Sequence, residues 1–319
     1  MACLSRIGRS SVPRVTYLSP LAYLLGLEGV ALLRGLKEDT GDRAFVEARI
    51  AEIRTLLVDP ALAASPGIEA VPGGISTAEV YREWAPSYDG PNSMIEFEEP
   101  FVHAIVDALP VGTALDAACG TGRHAAHLAE LGHRVIGVDA SPEMLAIAAA
   151  KVPGAAFHRA SLTSMPLPDR SVDLAVCALA LCHVPDLVPV FAEFARVLRP
   201  GGHLVISDPH LLLSYLRPTL ARSPGPDGRP TTFTEYHRQL SDYLAAALPA
   251  GFQVRHCAEP HIPTKKSHTA GVPTVVPGSA APELGWELLD WVPEAVTAVM
   301  DVPSIVIWHF QLAGDDTAS

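Results

Sequence analysis

Residues 114–122 read Ala-Leu-Asp-Ala-Ala-Cys-Gly-Thr-Gly and run on into Arg-His-Ala at 123–125. An apolar run ends at an acid, Asp116, a small-residue turn with Gly120 and Gly122 follows, and helix periodicity begins at Arg123. A strand, a tight glycine turn and a helix N-terminus in that order make a nucleotide-binding βα unit, because glycine lets the backbone turn sharply and approach a ligand closely. A second apolar run, 134–138, ends in Asp139. It lies about 20 residues past the glycines, where an acid accepts both ribose hydroxyl hydrogens. The two carboxylates and the turn between them point to an adenosine-containing cofactor.

The rest of the central segment repeats the alternation. Apolar runs at 113–118, 134–139, 155–159, 172–178 and 203–208 read as strands, and 123–131, 142–151 and 187–198 as helices between them. Strands that alternate with helices imply a parallel sheet with right-handed crossovers, an α/β fold. Ser76-Thr-Ala-Glu79 has the form of a capping box and predicts a helix carrying Tyr81, Trp84 and Tyr88. A further helix is expected over about 95–109, another over 235–248, and strands over 252–257 and 304–312. In such sheets the ligand sits outside the carboxyl ends of the strands, at the switch point. That gathers Asp116–Gly122, Asp139, Ser161, Ala178-Leu179 and Asp208-Pro-His210 around one cleft.

Gly120-x-Gly122-x-x-Ala125 also satisfies the dinucleotide pattern, so a nicotinamide oxidoreductase is one alternative. Three features favour another cofactor. Asp116 stands before the glycines, where it would repel a pyrophosphate but accept hydrogen bonds from an ammonium group. Arg196-Val-Leu-Arg-Pro-Gly-Gly202 leads into the strand 203–208, and the C-terminus reads as a strand pair. Together with Asp116-x-x-x-Gly120-x-Gly122, with Asp139-Ala-Ser-Pro-Glu-Met144 and with the run from Asp173 through His183 to Asp186, they give four motifs in order. Over roughly 76–312 the chain resembles the class I S-adenosylmethionine-dependent methyltransferases.

The resemblance implies a Rossmann-like, seven-stranded, mostly parallel sheet with helices on both faces, in which 304–312 pairs antiparallel. It implies S-adenosylmethionine as cofactor, held by Tyr88, Asp116, Ala118, Gly120, Gly122, Asp139, Ala140, Met144, Ser161, Leu162, Ala178 and Leu179. In similar enzymes an aromatic residue from the helix before the sheet contacts the methionine end, hence Tyr88. The chain departs from the pattern twice. Ala118 stands where the family usually has its first glycine, which adds a methyl group near the methionine end. Ser161 stands where many members place an aspartate for the adenine amino group, so a hydroxyl, or the backbone around Ala160 and Leu162, would take over.

The implied reaction is an in-line displacement at a sulfonium methyl, which asks the protein to position reactants, exclude water and sometimes remove a proton. His210 and His183 are the candidate bases, at the ends of the strands, with Glu99 from the cluster Glu96, Glu98, Glu99. That acidic cluster also fits the first turn of a helix. His237 is a further candidate, whereas His256, His261 and His268 show no ligand spacing, and no metal is expected.

The 319 residues carry a net charge of −12 and no basic run, which argues against a nucleic-acid substrate. Five scattered cysteines, Cys3, Cys119, Cys177, Cys182 and Cys257, form no Cys-x-x-Cys pair and suggest reduced thiols in a cytoplasmic protein. Arg6, Arg9 and Arg14 precede an apolar stretch, 17–27, that is too short for a membrane span and has no evident cleavage site. It reads as a docking helix, and its apolar surface leaves a homodimer through the N-terminal helices open. Residues 1–75 are expected to be an added helical segment and 76–319 the catalytic domain, with insertions at about 209–232 and 259–302 building an acceptor pocket. Their Leu, Val, Pro and Tyr content suits a small apolar acceptor, aromatic or heteroaromatic, of the kind found in specialised metabolism. A cofactor-binding regulatory or assembly protein without transferase activity is the other alternative.

Overall fold

The computed structural model describes residues 16–36, 41–65, 67–216, 223–224, 228, 230–232, 234–261, 286–300 and 302–314. Expectations for Cys3, Arg6, Arg9, Arg14 and His268, and for much of the two insertions, lie outside them. In chain order the strands are β1 (Thr16–Leu18), β2 (Ile68–Pro72), β3 (Thr113–Ala117), β4 (Arg134–Asp139), β5 (Ala156–Arg159), β6 (Val172–Ala178), β7 (Leu198–Pro209), β8 (Ser223–Pro224), β9 (Pro230–Thr232), β10 (Phe252–Ala258) and β11 (Ile305–Leu312). The helices are α1 (Pro20–Gly35), α2 (Arg43–Val58), α3 (Pro60–Ala64), α4 (Thr77–Trp84), α5 (Ser93–Val106), α6 (Arg123–Glu130), α7 (Pro142–Lys151), α8 (Val188–Val197), α9 (Leu211–Leu216), α10 (Leu240–Ala247) and α11 (Pro293–Met300). Short 3₁₀ turns occur at Ala85–Ser87, Leu181–His183 and Trp286–Trp291. None of the described helices is long and apolar enough to cross a membrane.

The chain divides into two compact units. One lies within Thr77–Pro218, Glu235–Ala270 and Val299–Ser319. Its sheet has the order β10-β11-β7-β6-β3-β4-β5, parallel from β7 to β5, with β11 antiparallel to β7 and β10 antiparallel to β11. This is the expected Rossmann-like α/β architecture, and chain order reverses at β3, which places the switch point beside the glycine turn. Burial alternates along the strands. Leu115, Ala117, Ile136, Val138, Ala175, Cys177, Leu204 and Ile206 share one core with Phe191 and Phe194 of α8 and Tyr243 of α10. Ala114, Val135, Leu174, Val176 and Val205 share the other with Val102 and Val106 of α5 and Leu128 of α6. A period of two with both faces covered is what a parallel sheet demands.

Two boundaries differ from the sequence reading. β7 begins at Leu198 instead of 203, because its pairing with β6 jumps from Val172↔Leu198 to Leu174↔His203 and absorbs Arg199-Pro-Gly-Gly202 as a bulge. α10 begins at Leu240 instead of 235. The Asp242 carboxylate accepts from the Gln239 N–H and starts the helix there, while the Tyr236 N–H is spent on the Cys182 carbonyl.

The other unit draws on Met1–Ser76, Thr219–Thr234 and Gly271–Ala298. Residues 1–75 were expected to be helical, but the unit also carries a small sheet of order β1-β2-β9-β8. β2 runs antiparallel to β1 and parallel to β9, with Val71 opposite Thr231. Ser19 caps α1, its hydroxyl accepting from the Ala22 N–H, and Pro20 follows at the first helical position. α1 buries Leu24, Leu27, Glu28 and Ala31 as one stripe, against α2. From Pro20 the apolar N-terminal stretch is thus helix, packed on α2 of its own unit, while Tyr17 and Leu18 belong to β1.

Candidate cofactor and acceptor site

The glycine turn is held by two carboxylates with different tasks. Gly122, at φ 81°, precedes α6 and has no side chain to cap it. Asp116, buried in β3, supplies the cap, with Oδ2 accepting from the Ala125 N–H at 2.8 Å. Burial raises the Asp116 carboxyl above its ordinary range, offset by His124 and Arg123. A Cβ on Gly122 would stand 3.0 Å from the Ala148 Cβ of α7, tighter than an ordinary contact, and its φ of 81° would strain any other residue. Ala118 adopts φ 58°, left-handed backbone that costs an alanine about 1–2 kcal/mol. The departure from glycine at 118 is thus a backbone strain as well as an added methyl group. Leu179, at the end of β6, is held at φ 52°, with its N–H on the Ser207 carbonyl. Non-glycine residues in this region persist where surrounding structure enforces them, commonly at functional sites.

Asp139 grips the same turn from β4. Its Oδ2 accepts from the Gly120 N–H and its Oδ1 from the Ser141 N–H, each at 2.8 Å. Burial pushes its carboxyl up, and these N–H groups push it back down. Each oxygen retains a further lone pair, which is what a ribose diol requires. The Ser141 hydroxyl caps α7 by accepting from the Met144 N–H, and Met144 is buried. The Ala140 carbonyl accepts from Arg159 Nε at 3.2 Å. Leu162 packs on the core, and Ala178 ends β6. The Ser161 oxygen accepts from the Thr163 N–H at 3.3 Å, which makes a local turn of the segment where the family places its aspartate.

Tyr88 lies over the turn, its Cε1 3.9 Å from where a Gly120 Cβ would be. Burial raises its hydroxyl pKa, against the pull of Arg123. Its neighbour Asp89 anchors it, accepting from Thr121 Oγ1 at 2.6 Å and pairing with Lys151 at 2.8 Å. Trp84 packs edge-on to Tyr88, with ring centroids 4.8 Å apart.

Of the candidate bases, His210 is committed elsewhere. Its Nδ1 accepts from the Leu212 N–H at 3.1 Å, capping α9, and that fixes the proton on Nε2, 2.7 Å from Glu259 Oε1. No lone pair remains for an acceptor's proton. Glu99 is peripheral, 3.4 Å from Arg123 and one-third exposed. Its neighbour Glu98 is the buried acid of the cluster, on the stripe with Val102 and Val106. It pairs with Arg123 at 2.7 Å, accepts from Ser207 Oγ, and lies 3.5 Å from His124. Burial works against its charge, yet His124, Arg123 and Ser207 hold the carboxyl down to about 2. The spacing 98, 102, 106 was the available signal for it.

His183 does face partners. Its Nε2 is 2.8 Å from the Tyr81 hydroxyl of α4, and a ring nitrogen, the Cys182 sulfur and a Glu235 oxygen lie within 4.8 Å of one another. The turn that carries His183 is clamped. Asp208 Oδ1 accepts from the Cys182 N–H and Oδ2 from the Tyr243 hydroxyl, and burial raises Asp208 to about 6. Arg238 holds the Val184 carbonyl. Burial, Tyr88, Cys182, Glu235 and Asp139 all push Tyr81 well above the ordinary phenol range.

Residues 115–206 match the family described as "Methyltransferase domain". Demethylmenaquinone methyltransferase of Chlorobaculum parvum is 35% identical over 144 residues, covering 42% of this chain and 60% of that protein. A Mycolicibacterium smegmatis protein described as an S-adenosylmethionine-dependent methyltransferase is 32% identical over 140 residues, 44% of this chain and 51% of that protein. The chain therefore spans less than two-thirds of these relatives. A chain from the complex of the Haloferax volcanii Trm112 methyltransferase activator with a methyltransferase shares the fold, with TM-score 0.52 at 20% identity, covering 73% of this chain and 97% of that one.

Proposed function

The chain carries a class I S-adenosylmethionine-dependent methyltransferase domain, and from that premise we propose that it methylates a small, apolar, aromatic or heteroaromatic acceptor at carbon, nitrogen or oxygen. The carrying observation is the Asp139 carboxylate, fixed by the Gly120 and Ser141 N–H groups with lone pairs left for a ribose diol. Asp116, behind the turn, supplies the negative charge that suits an ammonium group. When bound, the cofactor supplies an already activated sulfonium methyl. The protein's share is to fix the turn, cover it with Tyr88 and hold the acceptor in line. The apolar acceptor class draws support from the demethylmenaquinone named for the Chlorobaculum parvum relative, itself an apolar ring compound.

Titration calorimetry with S-adenosylhomocysteine, with NAD as control, tests the reading. Binding of the first alone is expected, weakened at least tenfold in Asp139→Ala. Binding of NAD alone would replace the proposal with an oxidoreductase. Cofactor binding without transfer to any acceptor would replace it with a regulatory protein.

A further inference from the structure

The proposed transfer leaves one proton unassigned, since an acceptor hydroxyl must lose its hydrogen as it is methylated. His210 has no lone pair to take it, and Glu98 is held as an anion by its partners deep beside Arg123. Beyond the end of β6, the turn Leu181–His183 sets His183 against Tyr81 of α4 and beside Glu235.

We infer that Tyr81, His183 and Glu235 form a proton relay serving an acceptor with an ionisable hydroxyl, a deepening that rests on the methyltransferase reading above. Tyr81 Oη lies 2.8 Å from His183 Nε2, and a Glu235 carboxylate oxygen lies within 4.8 Å of the imidazole's ligating nitrogen and the Cys182 sulfur. The acceptor's proton passes to Tyr81 Oη as the tyrosine's own proton passes to His183 Nε2. The electron pair left on the acceptor, on oxygen or delocalised onto a ring carbon, forms the new bond to the methyl carbon, and the C–S bond breaks with its pair on sulfur. Glu235 offsets the imidazolium charge, an effect expected of a carboxylate within about 4–6 Å. Tyr81 is suited to the middle position because it stays a neutral phenol.

The socket is rigid enough for this. The Cys182 N–H is held by Asp208, the Cys182 carbonyl by the Tyr236 N–H and the Val184 carbonyl by Arg238. The groups that set the relay's charge are Tyr81 of α4, Tyr88 of the following turn, Asp139 of β4, Cys182 of the same turn as His183, Asp208 of β7, and Glu235 and Arg238 of the segment before α10. Tyr81 and Glu235 stand 154 positions apart in the chain, so no sequence motif announces the pair.

Two measurements test the relay. In the unliganded protein, ¹⁵N-histidine NMR reads which nitrogen of His183 is protonated. The relay requires Nε2 to be the acceptor, with its resonance moving in Tyr81→Phe. A protonated Nε2 overturns it. Transfer is then assayed against paired acceptors, naphthohydroquinones and phenols and their hydroxyl-free counterparts. Tyr81→Phe is expected to lower kcat about 100-fold or more on hydroxyl acceptors, with S-adenosylhomocysteine affinity within threefold of wild type. Glu235→Gln is expected to move the acidic limb of kcat/KM about 1 pH unit lower, because the imidazolium loses its carboxylate. Transfer only to hydroxyl-free acceptors, or Tyr81→Phe retaining over half of kcat, overturns the relay while the methyltransferase reading stands. Cofactor binding with no transfer to either kind overturns both.

Discussion

Each unit buries one arginine beside a glutamate, and the two pairs behave in opposite ways. In the sheet unit Arg123 and Glu98 meet at 2.7 Å, and Ser207 and His124 share the carboxylate, which settles at about 2. In the other unit Arg49 meets Glu28 at 3.1 Å, but the same guanidinium also serves Glu52 at 2.7 Å and Glu294. Burial raises Glu28 to about 7, Arg49 opposes, and Glu52 and Glu294 push it further up. Glu28 Oε2 has no partner among the described residues. Arg123 faces Glu98 closely and Glu99 at 3.4 Å, and further donors on Glu98 favour its anion, whereas Arg49 is shared among three carboxylates and the buried Glu28 is pushed up.

The largest break in this comparison is expected from Glu98→Ala. It strands the Arg123 charge under α5 and should cost about 3–5 kcal/mol, read as a lower urea midpoint at unchanged m. A loss under about 1 kcal/mol would mean water reaches Arg123.

The pH dependence separates the two pairs next. The folded Glu98 pKa lies below its ordinary value of 4.5, so its stabilisation is complete above 4.5 and is lost as pH falls toward about 2. The folded Glu28 pKa lies above 4.5, so stability from that group is complete below 4.5 and is lost as pH rises through about 7. Hydrogen exchange, corrected for intrinsic rates, should show α1 better protected at pH 5 than at pH 7.5, and Glu28→Gln should abolish the difference. An unchanged difference in that variant would place the titrating group elsewhere.

The smallest effect sharpens the contrast. Glu52→Gln leaves Arg49 with one competitor fewer and should raise stability by about 0.5 kcal/mol, the scale of a partly exposed ion pair. A loss of stability would show that Glu52 supports the arginine instead of crowding it.

The sheet was legible in the sequence to within a residue at most ends. Its central strands β3, β4 and β6 are apolar runs buried on both faces, and that signal is local. The cofactor cradle was legible because its parts recur at a set spacing: Asp116 and the glycines lie in one short turn, and Asp139, 19 positions past Gly120, accepts from that turn's N–H. Acid–base chemistry was less so. Glu98 and Glu99 are adjacent, and only the helical spacing to Val102 separates the buried residue from the peripheral one. His210 looked available because the sequence does not reveal that α9 begins one residue later and uses its nitrogen as a cap. Tyr81 was read only as one of the aromatic residues on the helix with Trp84 and Tyr88, and its bond to His183 joins residues 102 positions apart. β2 went unread because its partner, β9, lies some 160 positions away.

That parallel pairing of β2 with β9 also sets an order of events. β2 can pair with β1 at once, but its second neighbour, β9, is synthesised only after β3 to β7 have been made. The local pairings of this unit, β1 with β2 and α1 with α2, need only residues 16–72, whereas its four-stranded sheet closes, in sequence, across the whole nucleotide cradle.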